Sequence, residues 1–311
     1  MSKRVIVVGS GNAALCAGIA ALEAGAEVLM LEKADEALAG GNTKYTAGAM
    51  RFAYDGVEDL LPLLKDPDDP RLSKTDFGGY TTQKFSEDLL MFNGGRALSP
   101  EQEKLISESL SAMQWLGGHG VKFEPIYSRQ SFLKDGRHVF WGGLTLAAEN
   151  EGVGLFEMER AVFESMGGTL RYNAGVTGLV SENGRITGVF VGEEHLAADA
   201  VILACGGFEA NEDLRESWMG ANWSKAKVRG TPMNTGDGHV MAQAVGAPLY
   251  GLIDGCHATP MDLHMADFGG LDLPAAERKN YRKICYFLGV MLNANGTRFV
   301  DEGENFRNYT Y

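Results

Sequence analysis

Apolar residues come early in the chain as a short run, and later at helical spacing. Val5 to Val8 form a run with the length of a buried strand, and Ala13 to Ala24 continue at helical spacing until Gly25 stops them. Glu27 to Leu31 read as a second strand, so the chain opens with a strand–helix–strand unit. Thr81 to Leu90 and Pro100 to Leu116 have the pattern of surface helices, and Ser99 ahead of Pro100 and Glu101 marks the second start. Asp55 to Asp76, with its KDPDDPRLSKTD tract, has the composition of a solvated loop.

Gly152 to Ser165 predict a helix that Gly167 and Gly168 end. Thr169 to Tyr172, Val176 to Glu182 and Ile186 to Val191 predict strands, the last two joined by an Asn183-Gly184 turn. Asp199 to Ala204 predict another buried strand, and His239 to Val245 a short helix closed by Gly246. Thr235 and Asp237 suit that helix as caps or as ligand contacts. The RHVFWGG segment, Arg137 to Gly143, either borders an active site through Trp141 or anchors an edge strand with it. Beyond Leu249 the chain changes to clustered His, Asp, Met and aromatic residues, which sets a boundary near Gly251 between a domain at 1–251 and the start of another at 252–311.

The 311 residues suit about two domains, and a 45% apolar content can bury a sizeable core. Against 28 basic residues stand 41 acidic ones, and the net charge of −13 repels nucleic acid and anionic lipid. An anionic substrate would then need a local basic pocket. MSKR runs straight into the first strand, leaving no room for a secretory or membrane-spanning segment, so a cytoplasmic protein without membrane insertion is expected. Cys16, Cys205, Cys256 and Cys285 are scattered without a CxxC pair, which argues against disulfides, zinc and c-type haem; no metal site is expected. Cys16 and Cys205 read as small packing residues.

Gly9, Gly11 and Ala14 follow the first strand at the spacing of the dinucleotide fingerprint. Gly9 permits the tight turn, Gly11 lets backbone approach a pyrophosphate, and Ala14 lets the helix lie close on the sheet. The phosphates would meet free N–H groups at the positive end of the helix. Glu32, at the end of the second strand, is placed for ribose hydroxyls and disfavours a 2′-phosphate. Gly206 and Gly207, after the later strand, let backbone approach something flat or charged.

VVGSGNAA, LEK, GGNTKYTAG, LACGGF, TGDG, CHATP and RFVDEGENFR occur in this order over nearly the whole chain. In their joint occurrence the sequence resembles the flavoproteins of the fumarate reductase and succinate dehydrogenase superfamily, and within it the FAD-dependent tricarballylate dehydrogenases. The resemblance implies an α/β fold, with a Rossmann-like, glutathione-reductase-like FAD-binding domain and a partial α+β capping domain from near Leu252. It implies FAD contacts at Gly9, Gly11, Asn12, Ala13 and Ala14, and at Glu32 and Lys33. Gly41, Asn42 and Thr43, with Gly48 nearby, match the loop along the ribityl chain and isoalloxazine edge, and Val176, Cys205, Gly206, Gly207 and Asp237 match further cofactor positions. Asn42 takes the place of the histidine that tethers flavin in membrane-bound relatives, and no histidine precedes His119, so the FAD is expected to be noncovalent.

For catalysis, the resemblance assigns His257 to a substrate carboxylate and Arg307 to proton transfer while hydride passes to or from flavin N5. A guanidinium neutralises and orients a carboxylate in its fork, but it does not give up its proton near neutral pH, so Glu302 or Glu304 would have to assist. The interval from Glu302 to Arg307 is longer than in soluble fumarate reductases. The implied reaction is oxidation of a small anionic tricarboxylate such as tricarballylate, with electrons leaving to an acceptor protein. Alternatives are reduction of fumarate or a related enoate, and FAD binding without catalysis. Further superfamily motifs beyond RFVDEGENFR are not found, so a C-terminally truncated member with one wall of the flavin pocket open is expected.

Overall fold

The computed structural model describes residues 2–256, 258–269 and 288–303. The opening unit consists of strand β1 (Arg4–Val8), helix α1 (Asn12–Glu23) and strand β2 (Glu27–Leu31). β1 lies between two parallel neighbours, with Val5 beside Ala200 and Arg4 beside Glu27. The full order is Ala200–Leu203, β1, β2, Thr169–Arg171, all parallel. The chain moves outward from β1 on one side and returns on the other, so the strand order reverses next to β1. Ligands of open α/β sheets bind outside the strand ends at such a reversal.

β1 is buried on both faces, as its unbroken apolar run requires in a parallel sheet. Val5 and Val7 pack with Leu15 and Ile19 of α1 and with Phe156 and Phe163 of the helix Glu151–Ser165. Ile6 and Val8 face the other way, onto Val176, Val189 and Met241. That second layer is an antiparallel sheet of Val176–Glu182, Arg185–Val191 and Glu194–Ala197. Asn183 and Gly184 both have positive φ in its first hairpin, as the expected turn demands. Its third strand, Glu194–Ala197, and the helix Glu212–Met219 lie outside the elements expected from the sequence.

Another core lies between Phe52 and Leu155, where Tyr54, Leu60, Leu63, Phe77, Phe123 and Leu146 are buried together. Part of the segment expected to be a solvated loop therefore belongs to a core: Leu60 and Leu63 are buried, and short helical turns cover Val57–Leu60 and Leu61–Leu63. Distant apolar partners override the polar composition there. Ser99 caps the helix Pro100–Gly118 through a reciprocal capping box with Gln102, a glutamine where the sequence had drawn attention to Glu101. Arg137–Phe140 is the middle strand of a small sheet rather than an edge, and Trp141 behind it is 67% exposed, so the expected anchoring of an edge strand does not hold. No helix among the described residues is long and apolar enough to cross a membrane.

Helices α1 and Glu151–Ser165 meet along a close seam. A Cβ on Gly18 would stand 2.8 Å from the Phe163 ring, so the small residue sets the approach of the helices. The same seam buries Glu159 completely; one of its oxygens lies 3.8 Å from Cys16 Sγ and the other has no hydrogen-bond partner. Burial raises the Glu159 carboxyl to about 8, despite the Cys16 contact. Burial, and then the neighbouring Glu159, raises the Cys16 thiol to about 12.

Two outcomes follow from the contacts of the helix Glu151–Ser165. A Cβ on Gly152 would fall 1.9 Å from the Thr43 carbonyl oxygen, so Gly152→Ala must push backbone apart; urea unfolding should show a loss of about 2–3 kcal/mol with an unchanged m-value. For Glu159, the native chain holds a proton up to about pH 8 that the unfolded chain releases near its ordinary value of 4.5. Its contribution is thus full below that lower value and is lost as pH rises through about 8. Glu159→Gln should flatten the fall in Tm over this interval, and an unaltered slope would show that the carboxyl is not the titrating group.

Candidate functional site

The ends of three parallel strands open into one cleft. After β1 come Gly9, Ser10 and Gly11; after β2, Glu32 and Lys33; after Ala200–Leu203, Ala204, Cys205 and Gly206. The empty space amounts to about 940 Å³, which includes volume open to solvent. Gly41, Asn42 and Thr43 form a further wall, and Val176, Asn234, Asp237 and Met241 close the side nearest the antiparallel sheet.

Gly9 is required twice over. Its φ is +106°, and a Cβ there would lie 2.5 Å from the Ala204 carbonyl oxygen. Gly11 caps α1 in extended conformation without a side-chain hydrogen bond, and no acidic residue stands in the first turn. The positive end of α1 therefore faces the cleft without a carboxylate of its own, as an anion site needs. The Thr43 hydroxyl, 3.2 Å from where a Gly11 Cβ would stand, accepts the Asn12 N–H at 2.9 Å and ties the Gly41–Tyr45 turn to the helix start.

Glu32 is buried, and its two oxygens are oriented by the Ala34 N–H at 2.7 Å and by the Ser10 hydroxyl. Ser10 also accepts the Gly40 N–H at 3.0 Å, so one hydroxyl holds three loops together. Lys33 reaches across the cleft, with its Nζ 2.7 Å from Thr235 Oγ1 and 2.8 Å from Asp237 Oδ2. Burial pushes the Asp237 carboxyl up, but the hydrogen bonds from Lys33 and Thr235 outweigh it and hold the pKa below the ordinary value. Thr235 and Asp237 are thus not side-chain caps. The helix Asp237–Ala244 is capped by Gly236 in left-handed conformation, and both polar residues serve the Lys33 bridge.

Of the residues singled out from sequence, Gly9, Gly11, Asn12, Ala13, Glu32 and Lys33 line this cleft, as do Gly41, Asn42, Thr43, Val176, Cys205, Gly206 and Asp237. Three others stand elsewhere. Ala14 is fully buried between α1 and the sheet, where the packing role of the third fingerprint position puts it. Gly48 is not a lining residue: a Cβ there would meet the Glu151 backbone at 2.7 Å, so it seats the following helix. Gly207 lies behind the wall, its carbonyl accepting the Gly236 N–H at 3.0 Å.

Glu302 is only 5% exposed and is held by Arg298 at 2.5 Å and by the Met291 N–H at 2.5 Å. The Arg298 hydrogen bond, then that of Met291, lowers its carboxyl to about 2, which makes it a poor proton carrier near neutral pH. His257, Arg307, Glu304 and Cys285 lie outside the described residues. Among the described residues no cluster of three or more His, Cys, Asp or Glu side chains can hold a metal. Sequence reasoning passed over Ser10, whose place between two fingerprint glycines was a usable signal, and Asn234, which only the fold brings to the wall.

Comparison with known proteins agrees with this geometry. Residues 4–309 match the family model described as an FAD binding domain. Urocanate reductase of Eggerthella lenta is 29% identical over 96% of this chain and 46% of its own length. A fumarate reductase (cytochrome) of Shewanella frigidimarina is 28% identical over 96% of this chain and 47% of its own. In fold, the open conformation of a flavocytochrome c3 fumarate reductase gives a TM-score of 0.68 at 24% identity, covering 98% of this chain and 49% of that one. A 3-ketosteroid delta1-dehydrogenase from Sterolibacterium denitrificans gives 0.70 at 17% identity, covering 98% and 64%. The chain spans about half the length of the curated relatives it matches.

Glu32→Ala would leave the Ser10 hydroxyl and the Ala34 N–H without their acceptor in a buried place. Chemical unfolding in the absence of any ligand should register a loss of about 1–3 kcal/mol. A variant as stable as the parent would mean that these groups find other partners.

Proposed function

The chain belongs to the FAD-binding-domain family, and from that premise we propose that it works as an FAD-dependent oxidoreductase on a carbon–carbon bond of a small anionic carboxylate. The observation that carries this reading is the cleft where the strand order reverses, which joins an α1 N-terminus free of acidic side chains to a buried, oriented Glu32. Its donors suit a dinucleotide: backbone N–H groups of the first turn for the pyrophosphate, and Glu32 for ribose hydroxyls. We take the fold as Rossmann-like and of the glutathione-reductase-like subclass, with a capping domain that starts near Leu252. When bound, FAD supplies a hydride donor or acceptor at its N5.

Noncovalent binding follows from the chemistry of Asn42. An amide is not a nucleophile, and this one is already engaged by the Thr231 N–H at 2.8 Å and by Glu209. For the substrate, the names of the relatives favour reduction: fumarate and urocanate each carry a carbon–carbon double bond beside a carboxylate. Tricarballylate, the finer expectation from the RFVDEGENFR motif, is a saturated tricarboxylate and would run the same kind of chemistry in the oxidising direction. His257 is the side chain we assign to a substrate carboxylate, and Arg307, whose guanidinium can also orient a carboxylate in its fork, is the one we assign to proton transfer. With Glu302 locked to Arg298, proton delivery through Arg307 would fall to Glu304 or another group. A separate protein would exchange electrons with the flavin.

The test begins with an absorbance spectrum and acid precipitation. A yellow protein that releases all of its flavin as FAD into the supernatant supports noncovalent binding, and flavin left in the pellet refutes it. Oxidation of reduced viologen on addition of fumarate or urocanate, against dye reduction with tricarballylate, then separates the two directions. FAD binding with turnover in neither assay would leave the chain a binding protein and sink the enzymatic reading.

A further inference from the structure

Asn42 and Asn234 both line the cleft, and both donate from Nδ2 to one carboxylate that does not line it, Glu209. Asn234 donates to Glu209 Oε1 at 2.8 Å, and Asn42 donates to the same oxygen. The Thr231 N–H fixes the other end of Asn42 by donating to Oδ1 at 2.8 Å. A carboxylate only accepts and a backbone N–H only donates, so the Asn42 amide has a single workable orientation. Each Nδ2 carries a second N–H besides the one given to Glu209.

Two glycines make room for these amides. A Cβ on Gly206 would lie 2.6 Å from Asn234 Nδ2, and one on Gly230 would overlap Asn42 Oδ1. The Glu209 segment is itself stapled. Its neighbour Ala210 donates N–H to the Asn234 carbonyl at 2.9 Å, and Asn211 Nδ2 donates to the Thr235 carbonyl at 3.1 Å. Behind it, Arg215 is 5% exposed and spends its guanidinium on backbone, donating to the carbonyls of Glu209, Trp223 at 3.0 Å and Ser224 at 2.8 Å. Those three hydrogen bonds offset part of the cost of burying the cation and fix the Glu209 backbone to the Trp223–Ser224 turn.

We propose that Glu209, pinned from behind by Arg215, is a positioning residue for the cofactor: it orients Asn42 and Asn234, from two distant loops, so that their free N–H groups face the FAD. The proposal rests on the FAD reading above. Glutamine keeps an Oε1 that can accept from both amides; alanine keeps none.

The experiment measures the FAD dissociation constant of apoprotein by flavin fluorescence, with circular dichroism to verify folding. Wild type tests the FAD reading by itself, and if it binds no FAD both readings fall. Given binding, Glu209→Ala should weaken it by about tenfold, while Glu209→Gln stays within about threefold of wild type. In a chain carrying Asn42→Ala and Asn234→Ala together, adding Glu209→Ala should cost less than about threefold more, because the groups it acts through are gone. An alanine variant that binds like wild type, a glutamine variant as weak as alanine, or an undiminished penalty in the amide-free chain overturns the positioning role and leaves the FAD reading intact. Should Glu209→Ala fail to fold, the glutamine variant decides: binding within threefold supports the hub, and a tenfold loss refutes it.

Discussion

Gly9 ends β1 between two parallel neighbours, and a single methyl group there would stand 2.5 Å from the carbonyl oxygen of Ala204. That closeness sets the rest of the site. It allows the chain to leave the sheet and enter α1 at once, so the helix start, the end of β2 and the end of Ala200–Leu203 converge on one volume. With a larger residue the turn would have to widen, separating the helix end from the wall at Cys205 and Gly206. The strand reversal makes a crevice there, and the turn brings a dipole to it.

The charge arrangement explains how so acidic a chain accommodates an anion. Lys33 is neutralised in place by Asp237 and oriented by Thr235, so it adds little net charge to the cleft that it spans. Attraction for phosphate is left mainly to backbone N–H groups and the end of α1. Such donors are fixed by the fold and lose little entropy on binding. Ser10 serves the same end by holding Glu32 and Gly40 together. The cleft is rigid because its loops are bonded to one another as well as to the sheet.

The core between Phe52 and Leu155 shows how an apparently polar stretch can support the site from a distance. Leu60, Leu63 and Leu64 bury themselves there, and Leu155 links this core to the helix that packs on α1. That helix begins against the Thr43 carbonyl, at the turn that carries Asn42. The wall expected along the flavin edge is therefore held by packing that begins far from the nucleotide fingerprint.

The sequence by itself determined the elements whose signals are local. The β1–α1–β2 unit, the glycine spacing, Glu32 at the end of β2, the Asn183-Gly184 hairpin and the start of the helix at Ser99 all depend on residues within a turn or two of each other. A steric or hydrogen-bonding preference over so short a span appears directly in the order of residue types. Tertiary structure alone decided the pairings across the chain: Glu209 with Asn42, Lys33 with Asp237, Glu159 with Cys16, and the leucines near position 60 with a distant core. It also decided that Gly48 seats the helix Glu151–Ser165. A side chain's partner across a fold leaves no period in the sequence, because the strand crossovers that bring the two together carry no record of either residue.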